Sequence, residues 1–443
     1  MTAAKETIFA LASGAPPAGV AVIRISGPLS LDATQRITAQ PLPKPRYAAL
    51  RSIVGRSGQL LDKALVLLFP APHSFTGEDC AELHLHGGKA VVNAVLNELA
   101  GFEGLRLAEA GEFSRRAFEN GKLDLVEIEG LADLLSAETE MQRRLAAEQS
   151  AGHLSSLYEG WRERLIFARA MIEAELDFSD EGDIPGSVSD RVWSEVAKLQ
   201  SEIDTVIDSI KTGEIIRDGF RVVLAGPPNA GKSSLMNALA RRDIAIVTDV
   251  AGTTRDVLHC ELDLEGYKIH LYDTAGLRDT EDRVEQEGIR RALTTIADAD
   301  LILRLRAPGV AGEVDLPENA IPVIDVSTKL DLRDEVYPFE SAESLAVSVI
   351  DGRGIDLLRR MILESVVART RVGSLAIPSR LRHAQRLLAA RSSLSDCLER
   401  SELPLELRAE YLRHAAEELA RITGRIDTET LLGKIFSEFC VGK

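Results

Sequence analysis

A glycine-rich segment that ends in lysine and serine carries the most specific chemistry in this sequence. Residues 226–234 read GPPNAGKSS, a match to GxxxxGK[ST], and follow the apolar run 220–225, which predicts a buried strand. In such a loop the glycines let backbone N–H groups surround phosphate oxygens, the lysine neutralises charge, and the hydroxyl binds Mg²⁺. The segment predicts a nucleotide-phosphate site formed by Asn229, Ala230, Gly231, Lys232, Ser233 and Ser234.

Three later segments indicate that the nucleotide is a guanine nucleotide. Asp273 ends a predicted strand and begins DTAG, Thr254 lies in GTTRD, and Asp331 ends TKLD. Asp273 and Thr254 can complete the surroundings of Mg²⁺, and the Asp331 carboxylate can accept two hydrogen bonds that guanine supplies and adenine does not. These segments predict a GTPase, with Ser348 as a weaker match to the last guanine-contacting loop. The residues added to the site are Thr248, Asp249, Val250, Ala251, Gly252, Thr253, Thr254, Asp273, Thr274, Ala275, Gly276, Thr328, Lys329, Asp331 and Ser348.

The residue after DTAG determines how the attacking water could be activated. Leu277 stands where small regulatory GTPases carry glutamine, and a leucine side chain cannot orient water. Because no arginine finger is evident, a monovalent cation beside the γ-phosphate would serve the same electrostatic purpose. Asn229 could bind this cation with backbone oxygens of residues 248–253, and Glu285 is one of several carboxylates that could orient water. A turn-forming role for Asn229 and an exposed helical position for Glu285 are the alternatives.

Composition and charge narrow the class of protein. The chain has 443 residues, enough for two to four domains, and 45% are hydrophobic, which excludes wholesale disorder. Lys and Arg number 52 against 69 Asp and Glu, so the formal charge of −17 excludes a histone-like coat for nucleic acid but permits a local basic patch. Four scattered cysteines without CxxC, and no apolar run of about 18 residues, favour a cytoplasmic location without a membrane span.

Changes in the pattern of residues along the chain indicate the domain order. Strand and helix patterns mix in residues 1–120, helical periodicity fills 121–217, strands and helices alternate in 218–372, and helical periodicity returns in 373–443. Alternation of this kind is typical of a parallel sheet. We therefore expect a multidomain fold, α/β plus all-α, in which a second α/β domain is inserted into a helical domain.

Taken together, the motifs resemble those of the MnmE (TrmE) family of tRNA wobble-uridine modification GTPases. The resemblance rests on GPPNAGKSSLMNAL, IVTDVAGTTRD, DTAGLRDTEDRVEQEGIRRA and the final FCVGK. Nearer the N-terminus it rests on VAVIRISGP, HSFTGEDCAELHLHGG and GEFSRRAFENGKLDL. The similarity covers essentially the whole chain, and the set in this order is highly specific.

The resemblance implies an N-terminal tetrahydrofolate-binding α/β domain that forms a homodimer, a helical domain, and an inserted G domain with a Ras-like parallel sheet. It also implies potassium-dependent GTP hydrolysis and a complex, heterotetrameric or larger, with the FAD-containing protein MnmG. The two proteins would add an aminomethyl or carboxymethylaminomethyl group to C5 of the wobble uridine of certain tRNAs. The one-carbon unit would come from 5-formyl- or methylene-tetrahydrofolate.

The resemblance further implies roles for individual residues. Ser233 and Thr254 would bind Mg²⁺, Glu285 would orient water, and Cys440 would act near the folate. The implied potassium ligands are Asn229, Thr248, Val250 and Thr253, and the implied folate contacts are Arg24, Glu82, Lys122 and Lys443.

Two departures from the family pattern carry predictions of their own. Thr328 replaces the asparagine of NKxD, which predicts the loss of amide contacts that brace the phosphate loop and hence weak nucleotide affinity. Arg304 and Arg306 lie in a strand that is usually apolar in the family, which predicts an altered edge of the G domain.

Other functions stay open on the sequence alone. A regulatory GTPase of ribosome assembly is one alternative, although such proteins normally append a basic RNA-binding module; a folate enzyme with GTP as an allosteric ligand is another. His84 and His86 share a strand face and could bind a metal. The arginines at 380, 382, 386 and 391 could face tRNA or form an ordinary solvated helix face.

Overall fold

The computed structural model describes residues 6–177, 188–242, 244–245, 259–273, 298–312, 321–332, 340–341, 344–426 and 442. The chain divides into two compact units, each taken by itself below. Unit 1 contains Met1–Ala132, Ser150–Ala174 and Leu405–Lys443, and unit 2 contains Asp133–Gln149 and Glu175–Pro404.

Strands and helices are labelled in chain order. The strands are β1 (Thr7–Leu11), β2 (Ala18–Ser26), β3 (Ala49–Val54), β4 (Leu60–Phe69), β5 (Cys80–Gly87), β6 (Leu105–Leu107), β7 (Phe220–Ala225), β8 (Ile244–Ala245), β9 (His259–Leu264), β10 (Tyr267–Asp273), β11 (Leu301–Arg306), β12 (Val323–Ser327), β13 (Glu340–Ser341) and β14 (Ser344–Ala346). The helices are α1 (Ser30–Thr38), α2 (Lys89–Ala100), α3 (Glu112–Glu119), α4 (Leu125–Ser136), α5 (Glu140–Ser150), α6 (His153–Asp177), α7 (Val188–Asp208), α8 (Ile210–Asp218), α9 (Lys232–Arg242), α10 (Ile355–Thr370), α11 (Leu381–Glu399) and α12 (Leu405–Thr423).

Unit 1 is built on a six-stranded sheet in the order β3-β4-β5-β2-β1-β6. Neighbouring strands are antiparallel except for β1 and β6. Because side chains alternate between the two faces of a strand, Ile23 and Ile25 of β2 enter the core with Leu83 of β5, while Arg24 and Glu82 lie on the opposite face. Helices α1 and α2 contribute to this core, so the face that carries Arg24 is the one without them.

Unit 2 contains an eight-stranded sheet in the order β13-β14-β12-β11-β7-β10-β9-β8. Strands β14, β12, β11, β7 and β10 run parallel, and the pairs at the two edges are antiparallel. The apolar run of β7, which lies between β11 and β10, suits a strand buried on both faces. Helices α9 and α10 pack on the sheet through Leu235, Leu239, Leu358 and Ile362 in one large core.

The helical segments that precede and follow the strand-rich region of unit 2 contact each other. Thr212 Oγ1 in α8 donates to Arg369 O in α10 at 3.0 Å, and Gln149 Nε2 donates to Ile377 O at 2.8 Å. The chain therefore enters and leaves the strand-rich region at neighbouring points, which is how an inserted segment is arranged. The multidomain fold, α/β plus all-α, is confirmed, and the boundaries 1–120, 121–217, 218–372 and 373–443 stay predictions.

A helix must be both long and apolar to cross a membrane. Of the helices in the described part of the chain, none is both long enough and apolar enough to cross a bilayer.

Candidate functional site

The residues of the predicted nucleotide site gather at one edge of the unit 2 sheet. Residues 226–231 follow β7, Asp273 ends β10, residues 328–331 follow β12, and Ser348 comes two residues after β14. Since these strands are parallel, their carboxyl ends lie at the same edge, which is where open α/β sheets bind ligands.

The phosphate loop closes around the side chain of Lys232. Lys232 is 6% exposed, and its ammonium donates to Gly226 O at 2.8 Å and to Pro227 O at 3.1 Å. Burial lowers the pKa of Lys232, and the carboxylate of Asp273 opposes this effect. Gly231 has a φ of +90°, a conformation that favours glycine, and Asn229 has a φ of +65°. The loop thus surrounds a single positive charge at the start of α9, a suitable place for an anion.

Two oxygen groups suited to Mg²⁺ lie side by side at this edge. Ser233 Oγ donates to Asp273 Oδ2 at 2.7 Å, and Asp273 is 3% exposed. Hydroxyl and carboxylate oxygens are hard ligands of the kind that Mg²⁺ prefers. The sequence predicts that both residues lie around Mg²⁺, and the structure brings the two side chains together.

Thr328 contacts the phosphate loop through its hydroxyl, in place of the amide contacts that an asparagine would make. Its Oγ1 donates to Ala230 O at 2.6 Å, and its backbone N–H donates to Arg306 O at 2.8 Å. The hydroxyl reaches the loop because Thr328 packs directly over Gly231. Weak nucleotide affinity stays a prediction.

The predicted guanine-contacting residues also lie together. Ser348 Oγ donates to Asp331 Oδ1 at 2.8 Å, and the backbone N–H of Leu330 donates to Val347 O at 3.1 Å. Lys329 has a φ of +55°. These contacts hold one oxygen of the Asp331 carboxylate and fix the loop that carries it.

The arginine that interrupts the apolar strand is compensated. Arg304 in β11 faces Asp325 in β12, and two parallel hydrogen bonds of 2.6 Å join the guanidinium to the carboxylate. Arg304 lowers the pKa of Asp325. The strand therefore keeps its place in the sheet through a bidentate ion pair.

Several predicted site residues lie outside the described residues. They are Thr248, Asp249, Val250, Ala251, Gly252, Thr253, Thr254, Thr274, Ala275, Gly276, Glu285, Cys440 and Lys443.

A second group of predicted residues lies in unit 1. Arg24 and Glu82 face each other across β2 and β5, with Arg24 Nε and Nη2 both 3.0 Å from Glu82 Oε1. The guanidinium also lies over the rings of Phe75, at 4.9 Å, and Phe113, at 5.6 Å. Apolar rings beside an oriented ion pair could hold a flat polar ring system such as a pterin.

Lys122 belongs to the same neighbourhood through the loop 74–78. A Cβ built on Gly77 would lie 3.2 Å from Lys122 Cγ, so the lysine stem packs against this glycine, whose φ is +78°. The same loop supplies Phe75, which contacts Arg24. One loop therefore touches both predicted folate-binding cations.

A buried polar network holds this loop, and no pattern in the sequence indicates how its members pair. Ser26 Oγ bonds Thr76 Oγ1 at 2.7 Å and Glu78 Oε2 at 2.8 Å. Arg116 bridges Glu78 and Glu112 with hydrogen bonds of 3.0 Å each. Together with Arg106, it brings the pKa of Glu112 down to about 2 against the opposing effect of burial.

The two histidines singled out as metal candidates are engaged in other contacts. His84 Nε2 lies 3.3 Å from Glu82 Oε2, and His86 Nδ1 lies 2.7 Å from Asp62 Oδ1. Within the ranges that the structure covers, His, Cys, Asp and Glu form no group of three or more that could hold a metal.

The basic run after residue 378 is divided among ion pairs. Arg380 bonds Asp133 at 2.6 Å and Arg391 bonds Asp204 at 2.7 Å, both within unit 2. Because carboxylates neutralise Arg380 and Arg391, this run is a weaker candidate for a tRNA-facing surface than the sequence suggests.

Gly442 lies against the first strand of unit 1. It is buried with a φ of +106°, and a Cβ built on it would lie 1.9 Å from Leu11 O. Leu11 pairs with Ile23, the neighbour of Arg24. Gly442 therefore lies beside the strand that pairs with the Arg24 strand.

Comparisons with known proteins agree along the whole chain. A family model described as MnmE helical domain matches residues 125–440, and one described as GTP-binding protein TrmE N-terminus matches residues 7–122. A tRNA modification GTPase MnmE from Rhizobium meliloti (strain 1021) is 58% identical over 443 residues, with 99% of each chain covered. The same-named protein of Sinorhizobium medicae (strain WSM419) is 56% identical over 440 residues, again with 99% of each covered.

A third relative, from Rhizobium etli (strain CIAT 652), carries the same name and is 55% identical over 446 residues, with 100% of both chains covered. Identity at this level over the full length indicates common family membership and not only a shared fold. The phosphate loop and the DTAG aspartate, which lie together at one sheet edge, agree with it. This chain therefore belongs to the MnmE family of tRNA modification GTPases.

Proposed function

We propose that this chain hydrolyses GTP in a potassium-dependent manner and, with the FAD-containing protein MnmG, modifies C5 of the wobble uridine of certain tRNAs. The added group is aminomethyl or carboxymethylaminomethyl, and its one-carbon unit comes from 5-formyl- or methylene-tetrahydrofolate. The working form is a cytoplasmic homodimer within a larger complex with MnmG. The observation that supports this proposal is that the described residues of the nucleotide site all lie in unit 2, and those of the folate site all lie in unit 1.

The nucleotide half of the proposal rests on the edge of the unit 2 sheet. Lys232 supplies charge for the β- and γ-phosphates, and Asp331, held by Ser348, accepts hydrogen bonds from guanine. Ser233 and Asp273 fit a Mg²⁺ ion because both present oxygen atoms within 2.7 Å of each other. When bound, Mg²⁺ neutralises developing charge on the phosphates.

Potassium would lie beside the phosphate loop at Asn229. Asn229 has a left-handed φ of +65°, a conformation in which a short polar side chain is favoured. The amide oxygen of Asn229 is a suitable ligand for a monovalent cation. Thr248, Val250 and Thr253, the other proposed ligands, and Glu285, the proposed water-orienting residue, lie outside the described residues.

Replacement of Na⁺ by K⁺ in a GTPase assay tests the nucleotide half of the proposal. We expect GTP hydrolysis to rise strongly when Na⁺ is replaced by K⁺, and Asn229→Ala to remove the difference. The potassium proposal fails if the alanine variant keeps the full response to K⁺. Glu285→Ala should cut hydrolysis by roughly 10²-fold with nearly unchanged GTP binding, because orienting water stabilises the transition state only.

The folate half rests on the ion pair in unit 1. Arg24 and Glu82 present opposite charges beside Phe75 and Phe113, and Lys122, whose stem packs against Gly77 of the loop that carries Phe75, adds a cation. A pterin ring offers donors and acceptors to the carboxylate, and the glutamate tail of a folate offers carboxylates to lysine. Lys443 and Cys440 would join this site from the C-terminal motif.

Nucleoside analysis of tRNA tests the whole proposal. A deletion strain should lack the modified wobble uridine, and the wild-type gene should restore it. Intact modified uridine together with defective ribosome assembly would favour a regulatory GTPase instead. Cys440→Ser should abolish the modification while GTP hydrolysis stays near normal, whereas wild-type levels of modified tRNA would leave Cys440 a packing residue.

A further inference from the structure

The turn at residues 120–122 ends helix α3 and carries one of the proposed folate-binding cations, Lys122. Gly121 has a φ of +65°, and its N–H donates to Phe118 O at 2.9 Å. The N–H of Lys122 donates to Ala117 O at 2.8 Å. Two such bonds around a left-handed glycine close the end of a helix. The turn therefore holds the backbone of Lys122 in a defined position relative to α3.

The side chain of Asn120 joins this turn to the loop 74–78. Asn120 Nδ2 donates to Thr76 O at 2.6 Å, and a Cβ built on Gly77 would lie 3.1 Å from Asn120 Cβ. Thr76 is fully buried, whereas Asn120 and Lys122 are exposed. The carboxamide thus attaches an exposed turn to a buried residue of the loop, and Lys122 remains accessible to a ligand.

The loop itself is held on the sheet by contacts that do not involve Asn120. Ser26 Oγ in β2 lies 2.7 Å from Thr76 Oγ1. The ring of Phe75 lies 4.9 Å from the guanidinium of Arg24 in the same strand. Loss of the Asn120 amide would therefore leave the aromatic side of the proposed folate site in place and loosen the turn.

The two sides of the proposed site suit different parts of a folate. The pterin ring would lie beside Arg24 and Glu82, and a carboxylate of the glutamate tail would reach the ammonium of Lys122. A cation that is already held at the right distance from the ring site binds the tail without the cost of being ordered. A pterin that lacks the tail gains nothing from this arrangement.

We propose that Asn120 is a positioning residue that sets the preference for folates with a glutamate tail: its carboxamide fixes the end of α3 on the loop 74–78, so that Lys122 lies where the tail carboxylate arrives. Asn120 acts through Lys122 and needs no contact with the ligand itself. This inference rests on the proposed folate function and is independent of GTP, potassium and MnmG.

Isothermal titration of the full chain with two ligands tests the proposal. 5-Formyl-tetrahydrofolate carries the tail, and 5-formyl-tetrahydropterin lacks it. Asn120→Leu keeps a similar volume but removes the donor, and we expect a three- to tenfold loss of affinity for the folate, about the effect of one hydrogen bond. Affinity for the pterin should stay within about twofold of the wild type. Asn93→Leu, at an exposed position of α2, is the matched control and should leave both affinities unchanged.

A double-mutant cycle with Lys122→Met separates positioning from a general structural effect. If Asn120 acts through Lys122, the chain with both substitutions should bind the folate no more weakly than Lys122→Met alone. Additive losses would overturn the proposal, as would an equal loss for folate and pterin in Asn120→Leu. If circular dichroism shows that Asn120→Leu does not fold, Asn120→Ala gives the same comparison.

The wild-type chain distinguishes this proposal from the folate function on which it rests. Absence of 5-formyl-tetrahydrofolate binding to the wild-type chain would overturn both. Folate binding by the wild type together with unchanged affinity in Asn120→Leu would overturn only the role of Asn120.

Discussion

Ser233 Oγ donates a 2.7 Å hydrogen bond to Asp273 Oδ2, which joins the start of α9 to the end of β10. The two residues are 40 positions apart in the chain and meet because β7 and β10 are neighbouring parallel strands. The hydroxyl and the carboxylate are thus already paired where Mg²⁺ would bind.

Ser233→Ala should make GTP binding insensitive to Mg²⁺. Removing one ligand oxygen leaves the carboxylate of Asp273 but breaks the metal's link to the phosphate loop. We expect roughly a 10–100-fold loss of GTP affinity in Mg²⁺ and little change in EDTA. Fluorescence titration with a labelled GTP analogue measures both, with Ser365→Ala in α10 as a control. Equal losses in the two buffers would show that Ser233 acts on the nucleotide directly.

Glu112 should make unit 1 sensitive to acid. Its pKa is lowered to about 2 by hydrogen bonds from Arg106 and Arg116, whereas the unfolded value is 4.5. A lowered pKa stabilises the fold above the unfolded value, and the contribution is lost as pH falls from about 5 toward 2. A shift of this size corresponds to at most about 3 kcal/mol.

Urea unfolding followed by tryptophan fluorescence measures this effect. Trp161 lies buried in unit 1, and Trp193→Phe leaves it as the single tryptophan, since the chain has two. Glu112→Gln should lower stability at pH 7 and weaken its dependence on pH between 5 and 3. Glu103→Gln at an exposed position is the control. An unchanged pH profile in Glu112→Gln would remove Glu112 from acid unfolding.

His84 should support the proposed folate site through Glu82. Arg24 holds Glu82 Oε1 at 3.0 Å and His84 Nε2 lies 3.3 Å from Oε2, so the carboxylate is held from two sides. His84→Leu should weaken binding of 5-formyl-tetrahydrofolate about three- to tenfold, and His84→Gln, which can still donate, should restore most of it.

Isothermal titration measures this folate affinity. His86→Gln is the matched control, because His86 on the same strand is 74% exposed and contacts Asp62 instead. Wild-type affinity in His84→Leu would make the histidine a bystander. Absence of folate binding in the wild-type chain would count against the folate proposal itself.

The sequence predicts strand β7 well and charge pairing poorly. The apolar run 220–225 coincides with the observed strand because a buried parallel strand needs a continuous apolar stretch. Glu78 and Arg116 lie 38 residues apart, and nothing in their local patterns indicates that they meet. Periodicity reports which face is buried, whereas the partner of a buried charge depends on how the loop 74–78 packs on α3.

Thr328, in the nucleotide site, is a second residue whose contacts the sequence pattern does not indicate. The motif predicts that Lys232, Ser233 and Asp273 lie together, because each role is tied to a residue type and a strand end, and the structure brings them to one sheet edge. From the sequence alone, the visible difference between threonine and asparagine at position 328 is the missing amide. The hydroxyl contact to Ala230 depends on close packing over Gly231, which sequence spacing does not report.

Gly442 should be intolerant of any side chain. A Cβ at this position would lie 1.9 Å from Leu11 O and 2.7 Å from Leu11 C, so the backbone would have to move, and a φ of +106° is strained for any L-residue. Cys440 and Lys443 are close to Gly442 in the sequence and are proposed members of the folate site, so displacement of Gly442 from β1 should impair that site. Gly442→Ala should therefore reduce tRNA modification at least tenfold, while GTP hydrolysis stays within about twofold of the wild type.

Gly58→Ala is the control for Gly442→Ala, because it introduces backbone strain without a close contact. Gly58 has a φ of +81°, and a Cβ built there meets nothing within 4 Å, so its substitution costs only the strain of about 1 kcal/mol. We expect this variant to modify tRNA normally. Both variants are compared by the content of modified wobble uridine in tRNA and by the GTPase rate of the same preparation. Normal modification in Gly442→Ala would mean that the contact with Leu11 is dispensable, and a parallel loss of GTP hydrolysis would mean that the substitution disturbs the whole chain rather than the folate site.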